Sequence, residues 1–401
     1  MPPLLPDAPW RHRDGLARLA EALDMAAGET RVVGGAVRDS LLGVPVTDVD
    51  LATRFSPDAV MNRLKAADIR AVPTGLAHGT VTAVLASGPI EVTTLRRDIA
   101  TDGRHATVAF TDDWREDARR RDFTINALYA EYPSGKIYDY FDGLADLAAG
   151  VVRFIGDPYQ RIAEDHLRIL RFFRFHARFG ALMDTAGLSA CTARANDLMA
   201  LSRERIANEL LRLLVAPRAV EVVALMIEHR ILTPVLPEIT PAGAERLARL
   251  AAAEAAAGIA PHPIRRLAAL LNGDMAAADG VGARLKLSNA DRKRLALATE
   301  TRPDAPPKAL AYRVGVESAV DQLLLAGQPQ AAQSIANWAP PRLPLSGGAI
   351  VARGIDKGPE VARLLHAIED QWIAENFPEG DRVTAIADDV VAAARRDMNN
   401  R

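Results

Sequence analysis

The spacing of apolar and polar positions changes near residue 150. Before it, short apolar runs alternate with amphipathic stretches. Arg31-Val32-Val33 reads as a strand running into Gly34-Gly35, and Val49 to Ala52 as another. β-Branched residues suit the half-buried surface of a sheet. Thr80 to Ala86 and Ile90 to Leu95 predict a hairpin turning at Ser87-Gly88-Pro89. Ala36 to Leu42 predicts a short helix closed by Gly43, with Pro45 just beyond. Ser56-Pro57 opens a helix to Ala67, because serine caps free N–H groups and proline fits the first turn. Arg97 to Ala106 is polar, contains Gly103, and reads as a loop. Beyond Gly150, Val151 to Ile155 is a last strand-like piece, ended by Gly156-Asp157-Pro158. The rest carries a helical period, broken at Pro234, Pro237, Pro241, Gly258 to Pro263, Gly273, Pro303 to Pro307 and Pro340 to Gly348. Ala251 to Ala257 fits an ordinary helix, and Ser288 to Asp291 a capped helix start. The pattern predicts an α+β protein: a small mixed head, then a long helical remainder with no fixed-period repeat.

Composition narrows this picture. A chain of 401 residues exceeds one ordinary core. With 49% hydrophobic and 25% charged residues, it has the balance expected of a soluble globular protein. No run approaches the roughly 18–20 apolar residues of a membrane span, and the N-terminus lacks the pattern of a signal peptide. Cys191 is the only cysteine, which excludes an internal disulfide and points to a cytoplasmic location by default. The net charge of −2 does not signal a nucleic-acid binder. Arginines nevertheless cluster between Arg115 and Arg178, and phosphates respond to a local patch rather than to the sum.

Five segments carry candidate chemistry. In Asp48-Val49-Asp50, residues i and i+2 of a strand point the same way, so two carboxylates share a face. Two-metal phosphoryl chemistry needs such hard oxygen ligands. An isolated Asp-x-Asp is as readily a surface turn. Upstream, Gly34-Gly35 lies between a strand and a helix, where backbone N–H groups can approach a phosphate and Arg38 can reach the same anion. The alternative is a plain tight turn. Glu91 lies in a strand-forming run; facing the aspartates it would be a third carboxylate, and otherwise a solvent-facing residue. Arg119-Arg120-Arg121-Asp122 suits triphosphate or RNA backbone, with Asp122 orienting a guanidinium, or forms a solvated basic helix end. Phe123 and Ile125 read as core.

The fifth segment runs from Arg161 to Arg174. At a helical period, Ile162, Ile169, Leu170, Phe173 and Ala177 form one apolar stripe, and Arg161, Glu164, Asp165, Arg168 and Arg171 an opposing polar arc. Asp165 and Arg168 are helical neighbours offering an acceptor and donors to the edge of a nucleobase. Arg171 is displaced towards where phosphates would lie. Arg174 is about 180° from Asp165 on an ideal helix, so sharing that contact requires a bend. Phe172, Phe175 and Phe179 are expected to pack on another helix rather than stack on bases, and His166 to be a structural histidine.

In order, these segments read Gly-Gly-x-Val-Arg-Asp, Asp-x-Asp, Glu-Val-Thr-Thr-Leu-Arg, Arg-Arg-Asp-Phe-Thr-Ile-Asn-Ala and Glu-Asp-x-Leu-Arg-x-x-Arg. The series, from Val33 to Phe179, resembles the bacterial and eukaryotic class of tRNA nucleotidyltransferases, the CCA-adding enzymes, and the related bacterial poly(A) polymerases. The resemblance implies a polymerase-β-like nucleotidyltransferase head (1–150) and an all-α neck (151–225), body (226–300) and tail (301–401). It implies Mg²⁺ on Asp48 and Asp50 and nucleotide contacts at Gly35, Arg38, Arg121, Asp165, Arg168, Arg171 and Arg174. Gly34, Asp122 and Asn126 are further candidates for the nucleotide site, and Glu91 for a third catalytic acid. Asp165 and Arg168 would pair with incoming CTP or ATP, and tRNA would be the substrate. Asp98 to Ala106, with Asp102-Gly103-Arg104, resembles the family's flexible loop, and Gly354 to Leu365 its tail, with Gly358-Pro359 opening a helix. Poly(A) synthesis, addition of CC or A alone, and a non-catalytic RNA-binding module are the competing readings.

Overall fold

The valine-rich runs and capped segments become the elements they predict. A computed structural model describes residues 3–101, 106–271, 273, 275–300, 304–356 and 358–399. Asp102-Gly103-Arg104 and Pro303 lie outside the described residues. The chain divides into two compact units, Met1–Pro241 and Ala242–Arg401. The expected head and neck therefore belong to one unit.

The first unit is built on a seven-stranded sheet. Its strands are β1 (Thr30–Val33), β2 (Asp50–Thr53), β3 (Arg70–Gly75), β4 (Thr80–Leu85) and β5 (Gly88–Thr94), followed after a separate hairpin by β8 (Leu128–Ala130) and β9 (Ile137–Asp139). The order is β3-β4-β5-β2-β1-β8-β9. Only β2 and β5 run parallel, with Asp50 opposite Glu91; the other neighbouring pairs are antiparallel. Pro73 is tolerated in β3 because that strand is an edge. Helices α1 (Leu16–Ala22), α2 (Gly35–Leu41) and α3 (Pro57–Ala66) accompany the sheet. Their apolar faces join Leu51, Val81, Val92 and Leu128 in one core. Ser56 caps α3 as predicted, accepting the Ala59 N–H.

Three expectations fail for local reasons. The polar stretch from Arg97 is a hairpin, β6 (Arg96–Thr101) with β7 (Ala106–Phe110), paired Arg97 to Ala109. A two-stranded ribbon outside the main sheet needs no apolar alternation. Val151 to Ile155 forms isolated bridges instead of a strand: Val151 to Leu182 and Phe154 to Phe123. Arg161 to Arg174 is not one helix. After α4 (Trp114–Arg119) and α5 (Gly143–Ala149) come α6 (Pro158–Glu164) and α7 (Arg168–Phe179), with Asp165 extended between them at φ −150°, ψ 106°. The Asp165 carboxylate accepts the Leu167 N–H at 3.1 Å, a side-chain-to-backbone bond that competes with helix continuation. The unit closes with α8 (Thr185–Ala193), α9 (Arg203–Leu214) and α10 (Ala219–Glu228). Phe172 packs against Phe123 and Phe154, and Phe123 and Ile125 are buried.

The second unit is helical throughout its regular elements. One core joins Leu364, Ile368 and Trp372 of the helix Pro359–Ala374 to Val383 and Ile386 of Asp381–Asn399. Helix Asn289–Thr299 begins at Ser288, whose hydroxyl accepts the Asp291 N–H. Among the described residues, no helix is long and apolar enough to cross a membrane.

Candidate active site

The end of β1, the turn into α2, the start of β2, the segment after α4 and the break between α6 and α7 all open on one cavity. Its volume is about 510 Å³. The predicted residues Gly34, Gly35, Arg38, Asp48, Asp50, Arg121, Asp122, Asn126, Asp165, Arg168 and Arg171 line it.

Gly34 has φ +71° and ψ −121°, a conformation open in practice only to glycine. Its N–H is used by the Leu128 carbonyl, so of the glycine pair only Gly35 has a backbone N–H to offer an anion. Helix α2 has two turns, so the positive charge at the cavity comes from its arginines. Arg38 is buried, held by Asp39 at 2.8 Å and by the Asn126 side-chain oxygen, with its guanidinium 4.4 Å from the Phe179 ring centre. Burial lowers its pKa, and Asp39 opposes the fall. Burial would likewise lower Arg121, but Tyr129 and Asp117 outweigh it. Arg121 donates to the Tyr129 hydroxyl and to Asp117, each at 3.1 Å. Asp122 takes two bonds from Arg171, at 2.8 and 2.6 Å, and one from the Asn126 amide at 2.9 Å. Burial would raise the Asp122 carboxyl, but these donors, Arg171 foremost, hold it at about 2. Each cation is thus fixed in place before any anion arrives.

The aspartates differ. Strand β2 begins at Asp50 rather than at Val49, with Asp48 just ahead of it. Both are exposed to the cavity, and among the described residues neither has an ion-pair partner. The Asp50 carboxyl is raised above the usual range, first by its poor solvation and next by the Glu91 charge. A divalent cation would relieve that crowding. Among the described residues no group of three acidic, histidine or cysteine side chains stands ready to hold a metal. Two carboxylates completed by substrate phosphates is, however, a ligand set that Mg²⁺ accepts.

At the helix break, Arg205 of α9 donates to both Asp165 oxygens at 3.1 Å. Arg168 is held by Glu164 and by the Arg161 carbonyl, each at 2.7 Å. Two predicted residues lie outside the cavity lining. Glu91 faces Asp50 across the sheet register. Arg174 donates to Glu209 at 2.5 Å and lies over the ring of Phe175, itself a wall of the cavity. The cavity also has walls the sequence reading missed, among them Asp39, Thr47, Phe175, Arg178 and Arg205. Arg178 was within reach, seven residues from Arg171 on the same helical face. Arg205 comes from another helix and leaves no local signal.

Comparisons with known proteins identify the family. Residues 30–153 match the Poly A polymerase head domain family, and residues 183–242 the family described as a probable RNA and SrmB-binding site of polymerase A. The mouse mitochondrial CCA tRNA nucleotidyltransferase 1 is 36% identical over 384 residues, covering 90% of this chain and 86% of the relative. The chain belongs to the CCA-adding tRNA nucleotidyltransferases. A CCA-adding enzyme of Levilactobacillus brevis is 41% identical over 196 residues, about 48% of each chain. The crystal structure of the Bacillus stearothermophilus CCA-adding enzyme in complex with CTP superposes with a TM-score of 0.76 at 26% identity, covering 96% of this chain and 99% of that one. CCA-adding nucleotidyltransferases use a divalent metal, and the Asp48–Asp50 pair is the donor set suited to one.

Proposed function

We propose that this protein adds C and A to tRNA 3′ ends without a nucleic-acid template, consuming CTP and ATP and releasing pyrophosphate. One observation carries the reading: the Asp48 and Asp50 carboxylates open on the same cavity as the Asp165–Arg168 turn. A nucleotide seated there would reach the first pair with its triphosphate and the second with its base.

The RNA 3′-hydroxyl attacks the α-phosphorus, and the bond to pyrophosphate breaks. Asp48 and Asp50 would hold Mg²⁺, which would supply activation of the hydroxyl and neutralisation of phosphate charge. Arg38 and Arg121 grip phosphate oxygens, their guanidiniums already oriented by Asn126 and Asp117. Arg171, fixed by Asp122, borders the same path. Glu91 acts on Asp50 through its charge rather than by touching substrate. Asp165 only accepts hydrogen bonds and Arg168 only donates them. Cytosine and adenine each present an amino donor beside a ring-nitrogen acceptor on their pairing edges. Uracil and guanine reverse that order, so this pair accepts the first two and rejects the others.

The match to an RNA-binding family over residues 183–242 supports tRNA contact by the helices after α7. The tail, from residue 301, is read as a further tRNA contact. The lone cysteine favours a reducing, cytoplasmic setting.

The test is incorporation into tRNA lacking its 3′ CCA, with CTP and ATP supplied. The expected product carries three added residues, CCA; long A tails, or C residues alone, would overturn the reading. Replacing Asp48 and Asp50 together by Asn should lower the rate by at least about 10²–10³-fold, the scale of a lost electrostatic stabiliser. Full activity in that variant would remove the metal site.

A further inference from the structure

Of the three consecutive arginines, only Arg121 lines the catalytic cavity. Arg119 and Arg120 line a second one of about 200 Å³, with Arg97, Glu116, Arg161 and Glu164. That volume is below the roughly 300 Å³ at which ordinary organic-ligand pockets begin. It suits a small oxyanion.

Four guanidiniums face two carboxylates there, and both carboxylates are engaged. Glu164 accepts from Arg161 and Arg168. Glu116 accepts the Thr111 hydroxyl at 2.7 Å, with Arg97 at a loose 3.9 Å. Arg120 is committed to Asp117. Arg119 is exposed and, among the described residues, has no carboxylate partner; the Arg97 side chain is 60% exposed. Two arginines at the cavity are therefore available to an incoming anion.

The buried member shows the same deficit. The Arg161 side chain is 8% exposed. Two of its nitrogens are satisfied, one by the carbonyls of Arg120 and Arg121 at 2.6 Å each and one by Glu164. Its Nε is buried without an acceptor among the described residues. Buried donors are almost always paired, so this nitrogen is left to an ordered water or an ion.

We propose that this second cavity is a phosphate-binding site, in which Arg97 and Arg119 capture a phosphate oxyanion over the buried Arg161. Two sources share that chemistry: a phosphodiester of the RNA backbone and free inorganic phosphate. The RNA source rests on the tRNA reading above; the inorganic source does not.

The double variant Arg97→Gln/Arg119→Gln removes the two charges and keeps the stems. Its thermal midpoint should match the wild type, since both residues are exposed. In one arm, protein saturated with CTP, so that the catalytic cavity is filled, is titrated with inorganic phosphate by calorimetry. In the other, affinity for tRNA lacking CCA is followed against salt. Loss of saturable phosphate binding in the variant, with tRNA affinity unchanged, assigns the site to free phosphate. A salt slope shallower by about one for each RNA phosphate no longer neutralised assigns it to the RNA backbone. If both measurements match the wild type, the two arginines are solvated surface charge and the proposal falls. Wild-type protein that binds phosphate but adds no nucleotides to tRNA would sink the functional reading and leave this site standing.

Discussion

Two clusters of charge, one in each unit, lead to opposite conclusions. In the second unit, Arg265 donates to Glu254 at 2.8 Å and to Asp321 at 3.1 Å, Arg266 to Glu254 at 2.9 Å and Arg294 to Asp321 at 2.6 Å. Arg265 and Asp321 are 2% and 0% exposed. Among the described residues, each of these charges answers another. In the first unit the arginines are also held, but Asp48 and Asp50 stand exposed and unpaired beside them. A cluster closed on itself stabilises a fold. A cluster with charge left over awaits a ligand.

The sharpest way to break this contrast is to open the closed cluster. Asp321→Ala would leave Arg265 and Arg294 facing a buried void. Removing one partner of a buried pair costs about 3–5 kcal/mol. The loss should appear as faster hydrogen exchange across residues 242–401, with CTP affinity unchanged below the unfolding transition. Wild-type protection in that variant would show that the cluster contributes nothing to the second unit. A selective loss of CTP binding would show that it is no mere support.

How legible this was depended on the range of each signal. The glycine turn, Asp48-Val49-Asp50 and the Arg121-Asp122 step are local patterns, and all reached one cavity. The relation of Glu91 to Asp50 needed a parallel pairing between strands distant in sequence; the sequence allowed it without requiring it. The break at Asp165 escaped the helical wheel because the periodicity on either side is intact. At the break the Asp165 side chain accepts the Leu167 N–H and reaches Arg205, and only the second of these depends on a distant residue. Arg97 to Ala106 was misread because strand signals rest on apolar alternation, which a two-stranded ribbon outside the main sheet does not need.

A smaller effect tests the ligand-seeking side of the contrast. Asp165→Asn keeps the size of the side chain but gives an acceptor-only group two donors. Asparagine can then meet the carbonyl of UTP or GTP as well as the amino group of CTP or ATP. One good base contact is worth about 1–3 kcal/mol of discrimination. Misincorporation of U and G relative to C and A should rise accordingly, about 5- to 150-fold. Competition assays with truncated tRNA would measure it. An unchanged preference would move base selection away from Asp165.

The smallest expected effect concerns Arg174, which separates proximity in sequence from contact in space. It follows Arg171 by less than one helical turn and belongs to the same motif. Its guanidinium nevertheless lies against Glu209 and the Phe175 ring, outside the cavity lining. Arg174→Gln keeps a donor for Glu209, and Arg171 remains 3.8 Å from that carboxylate as a second cation. The KM values for CTP and ATP should therefore change by less than about twofold, under ~0.5 kcal/mol. Any loss should appear as a lower thermal midpoint, because Glu209 is buried and keeps a weaker partner. A tenfold rise in KM with the midpoint unchanged would show that Arg174 turns inward to the nucleotide when substrate binds. Arg174 would then belong with Asp48 and Asp50 among the groups that act on a ligand, and not with the self-satisfied pairs it resembles at rest.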